Sequence, residues 1–120
     1  MEPQKYRSII VYKEYFEEFL ARQRQKVKDK IYWTFKLIEE LRQVPETYLK
    51  HLTGTDGLYE IRVQNGNDIF RIFCLFDEDK LVVLMNGFQK KTSKTPEQEI
   101  VKAIKIKKEY YEEKKQLKAP

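Results

Sequence analysis

The chain has 120 residues, of which 41% are hydrophobic, 13% aromatic and 36% charged, with a net charge of +5; this composition suffices for one hydrophobic core and excludes global disorder. Its longest apolar runs, Ile72–Phe76 and Leu81–Met85, have five residues each, and because a membrane-spanning helix needs about 20 we expect no membrane partner. The single cysteine, Cys74, excludes an intramolecular disulfide, and together with the only histidine, His51, it provides too few ligands for a Cys/His metal site.

The N-terminal half predicts one strand and two helices. Met1–Gln4 lacks the basic and apolar segments of a secretory signal, so we expect a cytoplasmic protein. Residues 7–12 (RSIIVY) are apolar and β-branched, which favours a strand. Apolar residues then recur with helical spacing over 12–20 and again from Val27, and the second helix must end near Val44 because Pro45 disfavours helix in the preceding residue. We expect the two helices to form a hairpin.

From Leu58 the apolar period changes to two, which is typical of strands. Turn signals at Asn65–Asp68 and Asp77–Lys80 separate three such strands, the last of which is Leu81–Phe88. Thr95–Gln98 then reads as the start of a helix, with an N-cap threonine, a proline at the first helical position and a capping-box glutamine.

These elements predict an α+β fold with the order βααβββα. The whole chain, 1–120, is expected to form one domain, with a basic C-terminal helix at 96–115 and a frayed tail at 116–120. Residues 1–85 carry 14 basic and 14 acidic side chains, whereas residues 86–120 carry 10 and 5. Such a local basic field attracts polyanions, although a solvated basic helix would have the same composition.

The alternation also predicts which side chains share a face of the sheet. If the second hairpin has a four-residue loop, Arg71 lies directly opposite Asn86, and one face is wholly apolar. The predicted apolar face consists of Tyr59, Ile61, Val63, Phe70, Ile72, Cys74, Phe76, Leu81, Val83 and Met85. The opposite face has a polar end that holds Glu60, Arg62, Arg71 and Asn86.

Arg71 is the one charged residue within an apolar run, 69–76. An unpaired buried charge would cost at least several kcal/mol, so Arg71 must pair internally or face a polar groove. Two interpretations stay open: an ion pair with Glu60 on the neighbouring strand, or a guanidinium offered to phosphate beside Arg62. In the second interpretation the lysines after the last strand border a cleft for a phosphodiester chain, where Phe88 stacks on a base.

Three segments carry a resemblance to a known family: 57–63 (GLYEIRV), 69–73 (IFRIF) and 86–96 (NGFQKKTSKTP). They resemble the HigB toxins of the RelE/ParE superfamily, above all the phage-derived subgroup, over roughly residues 5–112. The resemblance implies a RelE-like fold and a bacterial type II toxin that cleaves mRNA on the ribosome without a metal or organic cofactor. In that reaction the 2′-hydroxyl attacks the adjacent phosphorus and leaves a 2′,3′-cyclic phosphate.

The resemblance also implies partners and residue roles. The partners are mRNA, the ribosome with its rRNA, and a cognate helix-turn-helix antitoxin whose complex with the toxin binds operator DNA. Arg71 would stabilise the transition state and Arg62 would position the scissile phosphate. The implied substrate contacts are Lys90, Lys91, Lys94, Asn86 and Phe88.

The acid and the base are where the resemblance is weakest. Several relatives place a tyrosine or histidine after the last strand, and residues 86–95 contain neither. The candidates are Glu60 as base, His51 as base or acid, and Lys90 or Lys91 as acid. Two alternatives therefore stay open, namely a ParE-like gyrase inhibitor and a non-catalytic basic RNA- or protein-binding module.

Overall fold

The computed structural model describes residues 5–118, which form one mixed five-stranded sheet and three helices. The strands are β1 (Ser8–Val11), β2 (Leu49–His51), β3 (Tyr59–Asn65), β4 (Asp68–Asp77) and β5 (Leu81–Lys90). They lie in the order β1-β5-β4-β3-β2, in which β1 runs parallel to β5 and all other neighbours are antiparallel. The predicted α+β class is confirmed.

The order of the elements differs from the predicted βααβββα because the sheet contains one more strand, β2. This strand has only three residues, and two of them, Lys50 and His51, are exposed. It pairs with the start of β3 through Leu49 opposite Ile61 and His51 opposite Tyr59. A strand this short cannot display an alternating pattern, so it was not predicted.

The helices are α1 (Tyr15–Ala21), α2 (Gln25–Glu40) and α3 (Glu97–Lys118). α2 ends at Glu40, before the predicted end near Val44. α3 continues to Lys118, past the predicted end at 115, and residues 119–120 of the predicted tail lie outside the described part of the chain. Within residues 5–118, no helix is both long and apolar enough to cross a membrane.

The two faces of the sheet carry separate hydrophobic cores. The core under α1 and α2 is built from Phe16, Phe19, Val27, Ile31, Phe35, Ile38, Ile61, Val63, Phe70, Ile72, Cys74, Val82 and Leu84. The core under α3 is built from Leu58, Phe73, Leu75, Val83, Met85, Phe88, Ala103 and Ile106. α1 packs directly on the backbone of β5 at Gly87, where an added Cβ would lie 2.6 Å from a ring carbon of Phe19.

The predicted apolar face is confirmed for β3 and β4 and wrong for β5. The side chains of Leu81, Val83 and Met85 pack toward α3 rather than toward α1 and α2. The reason is the second hairpin, whose loop has three residues between the paired Asp77 and Leu81 instead of four. Since successive side chains alternate, a change of one residue moves the side chains of residues 81–85 to the other face.

A bulge in β5 then changes the register again. Ile72 pairs with Gly87 and Cys74 with Leu84, so that two residues of β5 lie opposite the single Phe73. As a result Arg71 lies opposite Phe88, and the predicted pairing of Arg71 with Asn86 is wrong.

Candidate functional site

Arg62 and Arg71 lie directly opposite each other on β3 and β4. Both side chains therefore point to the same face of the sheet, the one that α3 partly covers. Two residues further along, Gln64 on β3 pairs with Ile69 on β4, and Ile69 pairs with Lys90 on β5. Lys90 therefore lies on this face as well. The prediction that the two arginines share one face of the sheet is confirmed.

Both arginines line a cleft of about 410 Å³ at the edge of β3, where β2 no longer pairs with it. The lining residues are Lys30, Thr34, Thr47, Tyr48, Arg62, Val63, Gln64 and Arg71. Among these residues of the described chain there are three cations and no carboxylate. The cleft therefore has the charge expected of a site for an anion.

Arg71 forms an ion pair with Glu60, which is one of the two interpretations that the sequence left open for this residue. Nε of Arg71 lies 2.8 Å from Oε2 of Glu60, and the two side chains are only 7% and 8% exposed. Neither atom has a hydrogen bond of good geometry within residues 5–118, whereas Nη1 of Arg71 donates to the Phe70 carbonyl at 3.1 Å. Arg71 is thus neutralised on one side and lines the cleft on the other.

The electrostatic environment of Arg71 disfavours its charge. Burial lowers the pKa of the Arg71 guanidinium, and the nearby charge of Arg62 lowers this pKa further, while Glu60 opposes both effects. An anion held between the two arginines would offset their mutual repulsion. A phosphate bound there would therefore stabilise the arrangement.

Arg62 is held mainly through its backbone. Its N–H donates to the Tyr48 carbonyl at 2.8 Å, and its Nη1 makes a long hydrogen bond to the Glu46 carbonyl at 3.4 Å. The side chain is half-buried. Because its guanidinium makes only this weak contact among the described groups, most of its donors remain available to a ligand.

The structure does not bring His51 together with the arginines. His51 pairs with Tyr59 on β2 and β3, and its exposed ring packs against the Tyr59 ring at 5.1 Å. Tyr59 packs on the core under α1 and α2. His51 therefore lies on the opposite face of the sheet from Glu60 and Arg62.

The predicted lysines lie at and beyond the end of β5. Lys90 is the last residue of the strand and is half-buried, whereas Lys91 and Lys94 are exposed in the loop before α3. None of these three lysines lines the cleft, although Lys90 shares the face of the arginines.

Asn86 and Phe88, the predicted substrate contacts, lie in buried positions. Phe88 is only 8% exposed and packs against Phe73 with 5.5 Å between ring centroids, so little of its ring is available to a base. Asn86 is 1% exposed, and its amide donates to the carbonyl and side-chain oxygens of Glu99 at 3.1 and 3.2 Å. Both residues fasten α3 to the sheet.

Two residues that line the cleft, Lys30 and Tyr48, were not predicted from the sequence, and neither was Trp33, which contacts both. Tyr48 lines the cleft and meets the Trp33 ring edge-to-face, with 5.7 Å between centroids. Nζ of Lys30, which also lines the cleft, lies 4.2 Å from the centroid of the Trp33 ring. A signal was present, since Trp33 falls on the outer side of an amphipathic helix, where large aromatic residues are uncommon.

Comparison with known families identifies a related family. The family model described as "Phage derived protein Gp49-like (DUF891)" matches residues 18–108, and no curated protein matches the chain. The matched region extends from α1 into α3 and contains every residue that lines the cleft. The chain therefore belongs to the phage-derived Gp49-like family, a RelE-like toxin family associated with toxin–antitoxin systems.

Proposed function

We propose that this protein is a HigB-like toxin that cleaves mRNA on the ribosome in the bacterial cytoplasm. The observation that carries the proposal is the pair Arg62 and Arg71, which lie opposite each other on adjacent strands and line one cationic cleft. Paired guanidinium groups suit a phosphodiester because each can donate two parallel hydrogen bonds to phosphate oxygens.

The proposed reaction is an internal displacement at phosphorus. The 2′-oxygen of one nucleotide attacks the adjacent phosphorus, and the bond from phosphorus to the 5′-oxygen of the next nucleotide breaks. A base takes the 2′-hydroxyl proton, and an acid supplies a proton to the departing 5′-oxygen. Arg62 and Arg71 stabilise the extra negative charge of the transition state, an effect worth about 3–4 kcal/mol for each lost donor.

Glu60 is the base that best fits this arrangement. Its carboxylate contacts Arg71 at 2.8 Å, and it shares the arginine face of β3. A phosphate that binds Arg71 competes with Glu60 for the guanidinium and releases the carboxylate to accept a proton. Lys90, on the same face, and Lys91 are the candidate acids, and His51 is left out because it lies on the other face.

The partners follow from the resemblance and the charge. Residues 86–120 carry more lysines than acidic residues. The lysines of this segment, among them Lys90, Lys91, Lys94 and those of α3, would bind rRNA. A helix-turn-helix antitoxin would neutralise the toxin, and the complex would contact operator DNA through the antitoxin.

The test is induction of the chain alone and together with the product of the adjacent reading frame. We expect growth arrest by the chain alone, transcripts cut within translated codons, and 2′,3′-cyclic phosphate at the new ends. Intact transcripts with damaged DNA would contradict the proposal and favour the gyrase inhibitor.

A second candidate, a non-catalytic RNA- or protein-binding module, is favoured by one observation. The guanidinium of Arg71 is already paired with Glu60 and is almost completely buried. Such a pair can serve the fold alone. Growth arrest without any cleavage of mRNA or damage to DNA would support this candidate.

A further inference from the structure

Trp33 and Tyr48 form an aromatic surface at the margin of the arginine cleft. We propose that this surface is a stacking site for one unpaired nucleobase of the RNA whose phosphate lies between Arg62 and Arg71. The inference rests on the proposed function, because it takes the ligand of the cleft to be RNA, and it adds a base-binding site to the phosphate-binding arginines.

The exposure of Trp33 is the first observation. Its side chain is 44% exposed on α2, although tryptophan is usually largely buried. Its contact with Tyr48 is edge-to-face, with 76° between the ring planes. In an edge-to-face pair, one of the two rings keeps both of its faces free of its partner, so a planar base can stack on that ring.

The position of Tyr48 is the second observation. Tyr48 lines the cleft together with both arginines, and its carbonyl accepts the backbone N–H of Arg62 at 2.8 Å. The aromatic pair is therefore connected directly to the strand that carries Arg62. A nucleotide whose phosphate binds the arginines has its base within reach of Tyr48.

The positive charge beside the aromatic surface favours single-stranded nucleic acid as its ligand. Lys30 lies over the Trp33 ring and also lines the cleft, so its ammonium can contact both the aromatic surface and a backbone phosphate. Cations interleaved with exposed aromatic rings are the arrangement by which proteins hold single-stranded nucleic acid, since bases stack on the rings and lysine or arginine follows the phosphates. A duplex keeps its bases stacked on each other and cannot use such a site.

α2 supplies a matched control residue. Tyr32 is adjacent to Trp33 and is even more exposed, at 54%, but it packs edge-to-face on Phe35 of the core. It lines a different groove, with Ile9 and Leu20 among its neighbours, and not the arginine cleft. Truncation of Tyr32 removes an exposed aromatic ring without touching the proposed site.

The experiment uses the full chain and a short single-stranded oligonucleotide that is 2′-O-methylated and so resists cleavage. Trp33 is the only tryptophan of the sequence, so its fluorescence reports the site directly. We expect quenching of this fluorescence at saturation. We also expect Trp33→Ala and Tyr48→Ala to weaken binding at least about fivefold by the anisotropy of a labelled oligonucleotide, because stacking of a base on an aromatic ring contributes about that much or more.

Three controls make the result specific. Tyr32→Ala should bind as the wild type does, and a duplex of the same sequence should quench far less. The third control is an oligonucleotide with an abasic sugar at the stacked position. The wild type should bind this oligonucleotide more weakly than it binds the intact strand. Trp33→Ala should bind the two oligonucleotides with equal affinity. Thermal unfolding of each variant excludes loss of the fold, and all titrations use one salt concentration because phosphate contacts are salt-dependent.

Two results would overturn the stacking site: unchanged tryptophan fluorescence at saturation, or equal affinity of the wild type and Trp33→Ala. If Arg62→Ala weakens binding while Trp33→Ala does not, the stacking site fails and the phosphate cleft stands. Failure of the wild type to bind the strand also overturns the stacking site, and the cleavage assay in cells then decides the proposed function separately.

Discussion

Arg71 and Glu60 form a buried ion pair across β3 and β4, with 2.8 Å between Nε and Oε2. Both residues are 6% exposed, so the pair is held almost entirely out of water. Removal of either partner leaves a buried charge uncompensated, while removal of both leaves an apolar gap. Any substitution of Arg71 is therefore expected to change stability as well as the proposed binding of phosphate.

The first prediction concerns this pair. Arg71→Ala should lower the free energy of unfolding by about 3–5 kcal/mol, because Glu60 then remains buried without its partner. The double variant Glu60→Leu with Arg71→Leu should lose less than Arg71→Ala does. Urea unfolding measures both. A stable Arg71→Ala would show that water compensates Glu60, and Arg71→Lys, which keeps the charge, is the variant to use for activity.

The second prediction concerns Arg62. Arg62→Ala should slow cleavage of mRNA on the ribosome by about 10²- to 10³-fold, as expected for the loss of one transition-state donor. Its stability should change little, because within residues 5–118 the guanidinium makes only a long hydrogen bond to the Glu46 carbonyl. Arg24→Ala, which removes an exposed arginine paired with Asp68, is the matched control and should cleave normally. Equal rates for the two variants would remove Arg62 from the mechanism.

The third prediction concerns His51. Its ring packs on Tyr59, on the face of the sheet opposite Arg62. His51→Ala should therefore leave the cleavage rate unchanged. General acid–base catalysis contributes about 10²- to 10⁴-fold, so a rate loss of that size would return His51 to the active site.

The fourth prediction concerns pH and Asp77. Lys114 and Tyr110 donate hydrogen bonds to the Asp77 carboxylate at 2.7 and 2.6 Å, and these bonds hold its pKa below the ordinary value of 3.8. The folded state thus binds this proton less tightly than the unfolded state. The resulting stabilisation is complete above about pH 4 and is lost as the pH falls through the folded-state pKa.

The variant Asp77→Asn tests this predicted direction of the pH dependence. It should lower the free energy of unfolding by about 2 kcal/mol at pH 7, since two bonds to a charged group are weakened. The difference in the free energy of unfolding between Asp77→Asn and the wild type should become smaller below pH 4. Asp79→Asn, in the exposed hairpin loop, should cause little change at either pH. A difference that widens in acid would contradict the assignment.

The faces of β3 and β4 were predictable because their alternation is regular and the turn between them is short. Those of β5 were not, because the loop Glu78–Lys80 contains two non-glycine residues in the left-handed region, Glu78 at φ 56° and Asp79 at φ 65°. Neither residue type marks that conformation reliably. The bulge opposite Phe73 depends on tertiary contacts, among them the bonds of Asn86 to α3.

The candidate site was predictable only in part. A charged residue inside an apolar run pointed to Arg71, and strand alternation placed Arg62 beside it. The aromatic pair could not be found in this way, since Trp33 and Tyr48 belong to a helix and a turn that meet only in the folded chain. The burial of Asn86 and Phe88 could not be predicted, because both residues lie on the face that α3 covers and their exposure depends on how that helix packs.

The close approach of Phe19 to Gly87 affects how a mutational scan of this protein would be interpreted. Any side chain at position 87 forces the Phe19 ring or the β5 backbone to move, since the first added carbon would already lie 2.6 Å from that ring. In a screen for surviving colonies, substitutions at position 87 would therefore permit survival as often as substitutions of the arginines in the cleft. Soluble yield, measured beside survival, distinguishes a variant that cannot fold from one that has lost only the proposed binding of RNA.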